Sequence, residues 1–109
     1  MINVIVKRHN SQIKQFELSG HAASGPYGYD LVCAGVSAVS FGSVNAVMTL
    51  SGEDLEIDQG DEGGFLRVTV PAGIPVETMK NIQLLLEGML VSLKTIEQEY
   101  NEFINIQDQ

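Results

Sequence analysis

A run of twenty residues without a charged side chain, Leu31–Leu50, most strongly limits how this chain can fold. An apolar segment of that length could cross a membrane as a helix. We reject a membrane span because leucine is scarce in the run and because acidic residues, not lysine or arginine, flank it. The sequence instead predicts a central helix of a soluble domain. Small side chains recur along it at every fourth position and form a ridge that another helix or a sheet could approach closely: Ala34, Ala38, Gly42 and Ala46.

Strand-like and helical patterns surround this segment. Residues 2–18 alternate apolar and polar side chains, with one irregularity, around a polar turn at 8–11, which predicts a β-hairpin. Residues 55–70 predict a second hairpin around a turn rich in glycine and aspartate. A second helix is expected to begin near Pro75. Its apolar residues are spaced by three and four, as in an amphipathic helix: Met79, Ile82, Leu86, Met89, Leu93 and Ile96.

The predicted element order is therefore β-β-α-β-β-α. We expect an α+β fold, a two-layer sandwich in which an antiparallel or mixed sheet carries the helices on one face. The 109 residues suffice for a single domain, 1–109, and are too few for two ordinary ones. One cysteine cannot form an internal disulfide, and the N-terminal residues lack the pattern of a secretory signal, so we expect a cytoplasmic protein.

The formal net charge of −8 restricts the partners. Phosphate backbones are bound mainly by lysine and arginine, so direct binding of nucleic acid is not expected. An acidic surface attracts basic polypeptides, although the same charge also serves ordinary solubility.

The only cysteine, Cys33, lies near the predicted start of the central helix, and His21 lies twelve positions before it. If Asp30 caps the helix, Cys33 falls on the first turn, where the helix dipole and free backbone N–H groups favour a thiolate. The loop between the two residues contains Gly25, Pro26 and Gly28, so it can turn back and bring the imidazole beside the sulfur. These residue types predict a Cys/His nucleophile pair.

The predicted chemistry is peptide bond cleavage. Cys33 would attack a peptide carbonyl, His21 would carry the proton to the leaving amine, and first-turn N–H groups would stabilise the oxyanion. Asp30 could orient His21 or only cap the helix, and Ser37 could form a hydrogen bond near the site or only with its own helix backbone. A zinc site from His9, His21 and Cys33 lacks a recognisable ligand spacing, so we expect no metal and no cofactor.

Three segments resemble one known family: Gly20–Ala22, Tyr27–Ser37 and Phe41–Ala46, joined by the late helical segment Leu93–Tyr100. Together they resemble the ribosomal-processing cysteine protease family Prp over essentially the whole chain. The resemblance implies a cytoplasmic bacterial protease that removes a short N-terminal extension from the twenty-seventh protein of the large ribosomal subunit. It assigns His21 and Cys33 as catalytic, and it includes Asp30 and Ser37 in the motif.

The resemblance also implies a homodimer and a loop between His21 and Cys33 that orders over the substrate. Its expected substrate-loop residues are Gly25, Tyr27, Gly28 and Tyr29. The principal alternative is a non-catalytic, acidic, dimeric adaptor that binds a basic ribosomal protein without cutting it. An RNA-binding ribosome factor is a further alternative, which the negative charge disfavours.

Overall fold

The computed structural model describes residues 1–20, 27–61 and 64–109, and for residues 27–30 it describes the backbone. The elements in chain order are β1 (Ile2–His9), β2 (Gln12–Ser19), α1 (Tyr27–Ser51), β3 (Glu56–Asp58), β4 (Phe65–Thr69), α2 (Val76–Glu99) and β5 (Ile104–Asp108). The strands form one open five-stranded sheet in the order β3-β4-β2-β1-β5. All neighbouring strands are antiparallel except β1 and β5, which run parallel. The predicted α+β fold with a mixed sheet is confirmed.

The core lies between one face of the sheet and the two helices. The strands contribute their alternate residues to it: Ile2, Val4, Val6, Ile13, Phe16, Leu18, Leu66, Val68 and Ile104. From α1 it receives Val32, Val36, Val44 and Val47, and from α2 Ile82, Leu86, Met89, Leu90 and Leu93. The predicted apolar face of the second helix is therefore confirmed, with Met79 and Ile96 partly buried at its margin.

The irregularity within the first hairpin is a β-bulge. The strand register shifts between Lys7 and Arg8, so that Lys14 is an extra residue on β2. The extra residue shifts the alternation of side chains along β2 by one position, so that both Ile13 and Phe16 point into the core. Ile13 and Phe16 are three positions apart, so in a strand without a bulge one of the two would face the opposite side of the sheet.

Helix α1 begins earlier than the sequence suggested. It starts at Tyr27, so Asp30 lies inside the helix and is not its N-cap, and Tyr27–Tyr29 are helical and do not belong to a loop. Gly28 lies inside the helix although glycine is a poor helix former, so its local propensity does not decide where α1 begins.

The stretch Leu31–Ser51 has the length and apolar composition of a membrane-spanning helix. In this fold it packs on the sheet through Val32, Val36, Val44 and Val47. The expected role of the small-residue ridge is only partly met, because Ala34, Ala38 and Gly42 are exposed and Ala46 is partly buried. On α1, Gly35 faces α2, since an added Cβ there would be in ordinary contact, at 3.7 Å, with Cδ1 of Ile96.

Strand β5 was not predicted from the sequence. It pairs with β1 at the edge of the sheet, and its residue Ile104 enters the core. The carboxylate of Glu97, at the end of α2, accepts a hydrogen bond of 2.7 Å from the backbone N–H of Ile106. Glu97 therefore ties the last turns of α2 to this edge strand.

The guanidinium of Arg8 connects three elements and donates five hydrogen bonds, one from each of its five N–H groups. Two go to the carboxylate of Asp108 in β5, at 2.7 and 3.0 Å, and two to that of Glu87 in α2, at 2.7 and 3.0 Å. The fifth goes to the carbonyl of Ser11 at 3.0 Å. Hydrogen bonds from the guanidinium lower the pKa of both carboxyl groups and raise the pKa of Arg8. Arg8, Glu87 and Asp108 are called the Arg8 cluster below.

Candidate active site

Cys33 opens onto a cavity of about 230 Å³ at the end of the sheet where β2 ends and β4 begins. The thiol residue is half-buried and unbridged. The described residues that line the cavity are Ile2, Leu18, Gly20, Cys33, Val36, Ser37, Phe41, Gly64, Phe65 and Leu66. They come from β1, β2, α1, β4 and the two glycines that flank β2 and β4, so the cavity exists only when the sheet and the helix have packed together.

Gly20 determines how the chain leaves the sheet at this cavity. Its φ is +99°, and an added Cβ would lie 2.2 Å from the carbonyl oxygen of Met1, a distance no side chain tolerates. Its N–H donates to the carbonyl of Gly64 at 3.0 Å, which joins the end of β2 to the start of β4. Position 20 therefore requires glycine for conformation and for space, immediately before His21 in the sequence.

Two of the predicted site residues meet at the cavity. Ser37 lies one helical turn after Cys33, is exposed, and lines the same cavity. His21 and Gly25 lie outside the described residues. Tyr27, Gly28, Tyr29 and Asp30 belong to the first turns of α1.

The expected oxyanion donors need correction. Cys33 is the seventh residue of α1 because the helix starts at Tyr27, and it therefore lies on the second turn. The free N–H groups and the strongest effect of the helix dipole are confined to the first turn. The predicted stabilisation of an oxyanion by first-turn N–H groups around Cys33 is wrong in this form.

The described wall of the cavity is mainly apolar and carries no formally charged side chain. Its polar side chains are the Cys33 thiol and the Ser37 hydroxyl. Such a pocket can hold an apolar side chain of a ligand while the thiol faces the ligand's backbone. Within the described part of the chain, no group of three or more His, Cys, Asp and Glu side chains could hold a metal ion.

Sequence reasoning missed two aromatic residues of the site. Phe41 could have been found, since Cys33, Ser37 and Phe41 are spaced by four and share one side of a helix. Phe65 gave no such signal, because it reaches the cavity only through the pairing of β4 with β2.

The family model of "Cysteine protease Prp" matches residues 1–105 of the chain. This chain belongs to the Prp family. The ribosomal processing cysteine protease Prp of Bacillus subtilis (strain 168) is 44% identical over 107 residues, which cover 97% of this chain and 96% of the relative. The resemblance noted in the sequence is thus confirmed over nearly the full length.

Two crystal structures of an essential Prp protease from Staphylococcus aureus share the fold. One, in complex with a substrate peptide, is 40% identical and superposes with a TM-score of 0.88, each chain covered to 100%. The other, with a covalently linked product peptide, is 42% identical with a TM-score of 0.84, again with each chain covered to 100%. As a member of the Prp family, the protein is a cysteine protease, and the non-catalytic adaptor is set aside.

Proposed function

We propose that this protease removes the short N-terminal extension of the twenty-seventh protein of the large ribosomal subunit, with Cys33 as nucleophile and His21 as general base. The proposal rests mainly on one observation. Cys33, the only cysteine in the sequence of this cysteine protease, opens onto an apolar cavity of about 230 Å³. The Bacillus subtilis relative is named for ribosomal processing, and the Staphylococcus aureus relative holds a substrate peptide in one structure and a covalently linked product peptide in another.

In the proposed reaction, the sulfur of Cys33 attacks the scissile carbonyl while His21 takes the thiol proton. The tetrahedral intermediate then collapses, the C–N bond breaks, and His21 returns the proton to the leaving amine. Water, deprotonated by His21, hydrolyses the acyl-enzyme and releases the thiol. Gly20 supports this pairing because it lines the same cavity as Cys33 and directly precedes His21 in the sequence.

Asp30 and Ser37 have supporting roles in this proposal. Since Asp30 does not cap α1, its remaining predicted role is to orient the imidazole of His21. Ser37 presents an exposed hydroxyl to the cavity one turn from the thiol, and we assign it a hydrogen bond to the substrate backbone.

The substrate class follows from the shape and charge of the protein. The apolar walls of the cavity accept an apolar side chain next to the scissile bond. The net charge of −8 suits a basic protein as substrate and disfavours direct contact with RNA. The protein would act in the cytoplasm.

We further propose that the enzyme is a homodimer. Leu31 and Phe41 are exposed large apolar residues on α1, and the exposed small residues Ala34, Ala38 and Gly42 lie on the same helix beside them. A second copy could approach this side closely.

The test is incubation of the protein with a peptide that spans the extension junction, with products read by mass spectrometry. We expect cleavage at one bond by the wild type, no cleavage by Cys33→Ala, and at least about a hundredfold slower cleavage by His21→Ala. Ser92→Ala is the control, since this exposed α2 hydroxyl donates a hydrogen bond to the carbonyl of Gly88 in its own helix. Cleavage by Cys33→Ala, or none by the wild type, would contradict the proposal.

A further inference from the structure

Phe65 belongs to two surfaces at once. It lines the Cys33 cavity, and it is the first residue of β4. Side chains alternate along a strand, so Phe65 and Arg67 share the outer face of the sheet, opposite the buried side chains of Leu66 and Val68. Phe65 therefore lies where the cavity meets the face of the sheet that carries no helix.

The ring of Phe65 is held from two sides. The guanidinium carbon of Arg67 lies 5.3 Å from the ring centroid, a cation–π distance. Gly60, with a φ of +68°, lies against the ring, because an added Cβ there would be 3.5 Å from Cδ2 of Phe65. The N–H of Gly60 donates to the carboxylate of Asp58 at 2.9 Å, which fixes the turn that carries it.

Arg67 is itself fixed by the neighbouring strand. Its Nε donates to Oε1 of Glu17 at 2.6 Å, and the two residues are direct cross-strand partners. On the other side, Asp58 is the partner of Arg67 in β3. The chain Glu17–Arg67–Phe65 thus runs across the outer face of the sheet and ends at the cavity.

We infer that Arg67 is a positioning residue of this protease: held by Glu17, it fixes the ring of Phe65, which determines how tightly the cavity binds an apolar substrate side chain. The inference rests on the proposed function and adds a specificity determinant to it. Without Arg67, the ring loses the cation–π contact that holds it on the outer face and can turn away from the cavity.

The main test compares Arg67→Met with Lys80→Met. Both remove one positive charge, but Lys80 is exposed on α2 and pairs with Glu77, one helical turn away. For cleavage of the junction peptide we expect Arg67→Met to raise KM about three- to tenfold with kcat changed less than about twofold, and Lys80→Met to leave both unchanged. A long-range charge effect would have the opposite sign, since a more acidic enzyme binds a basic substrate more tightly.

Two milder variants and a double mutant complete the test. Arg67→Lys keeps the cation and Glu17→Gln keeps a neutral acceptor, so each should raise KM less than Arg67→Met. Phe65→Leu should raise KM by itself, and adding Arg67→Met to it should have no further effect. An unchanged KM in Arg67→Met, equal shifts in Arg67→Met and Lys80→Met, or additive effects of Phe65→Leu and Arg67→Met would overturn the inference.

A second readout separates this inference from the identity of the substrate. The rate of alkylation of Cys33 by N-benzyl iodoacetamide, divided by the rate with iodoacetamide, reports binding of an aromatic group beside the thiol. We expect this ratio to fall about threefold or more in Arg67→Met and to stay constant in Lys80→Met. Failure of the wild type to cut the peptide would overturn the proposed substrate, whereas an unchanged alkylation ratio in Arg67→Met would overturn the role of Arg67.

Discussion

The Cys33 cavity and the Arg8 cluster lie at opposite ends of β1 and are held together by different means. At the first end, Ile2 and its neighbours surround an open apolar space, and a glycine with a positive φ sets the path of the chain. At the other end, each N–H of Arg8 has an acceptor, and three elements meet around one guanidinium. The thiol end of the sheet is thus left open, whereas the other end is closed by hydrogen bonds between charged side chains.

The largest effect that would test this comparison is expected at Gly20. Gly20→Ala combines an unfavourable φ with a Cβ 2.2 Å from the Met1 carbonyl oxygen, so the strand end must move. We expect a loss of about 2–4 kcal/mol in the free energy of unfolding and at least about a tenfold loss of activity. Gly52→Ala is the control, since its φ is +75° but an added Cβ meets nothing within 4 Å. Equal losses of stability and activity in Gly20→Ala and Gly52→Ala would show that the clash with the Met1 carbonyl has no effect.

The second effect is expected at the Arg8 cluster. Arg8→Met leaves the carboxylates of Glu87 and Asp108 without their shared partner. Because these groups are only partly buried, we expect a loss of about 1–2 kcal/mol in denaturant-induced unfolding, with kcat/KM unchanged. A marked fall in activity at unchanged stability would show that the two ends of β1 are coupled.

The smallest effect concerns the pH dependence of stability. Glu87 and Asp108 have lowered pKa values in the folded protein. Their contribution is therefore complete above the unfolded pKa values of about 4 and is lost as the pH falls through the lower folded values. The unfolding free energy of the wild type should fall more steeply with acid than that of Arg8→Met below about pH 5. Parallel curves for the two proteins would contradict the assigned role of Arg8.

The parts of the fold that the sequence predicted are those with local periodicity. Both hairpins, the central helix and the apolar stripe of α2 follow from patterns within short segments. Strand β5 was not predicted because Ile104 and Ile106 alternate with polar residues over too short a segment, directly after a polar helix end. Its position depends on Arg8 and Glu97, which are distant in sequence or belong to another element.

At the active site, too, local sequence patterns predicted some features, whereas features that depend on distant residues were missed. The spacing of Cys33 and Ser37 on one helix was enough to place them together. The start of α1 was misplaced because Asp30 is a good capping residue and Gly28 a poor helical one, and neither preference decided the outcome. Phe65 and its support by Arg67 arise from cross-strand pairing between residues about fifty positions apart, which no local pattern reveals.

The hydrogen bond from Ile106 to Glu97 makes the two borders of the sheet unequal for self-association. At β5, a carboxylate already occupies a backbone donor that an incoming strand would need. At β3, the border strand is only three residues long, and two of them, Glu56 and Asp58, are acidic. A strand of another chain is thus hindered from pairing with β5. At β3 it could pair only if it tolerates acidic neighbours. Both borders therefore disfavour edge-to-edge pairing with the sheet of another chain.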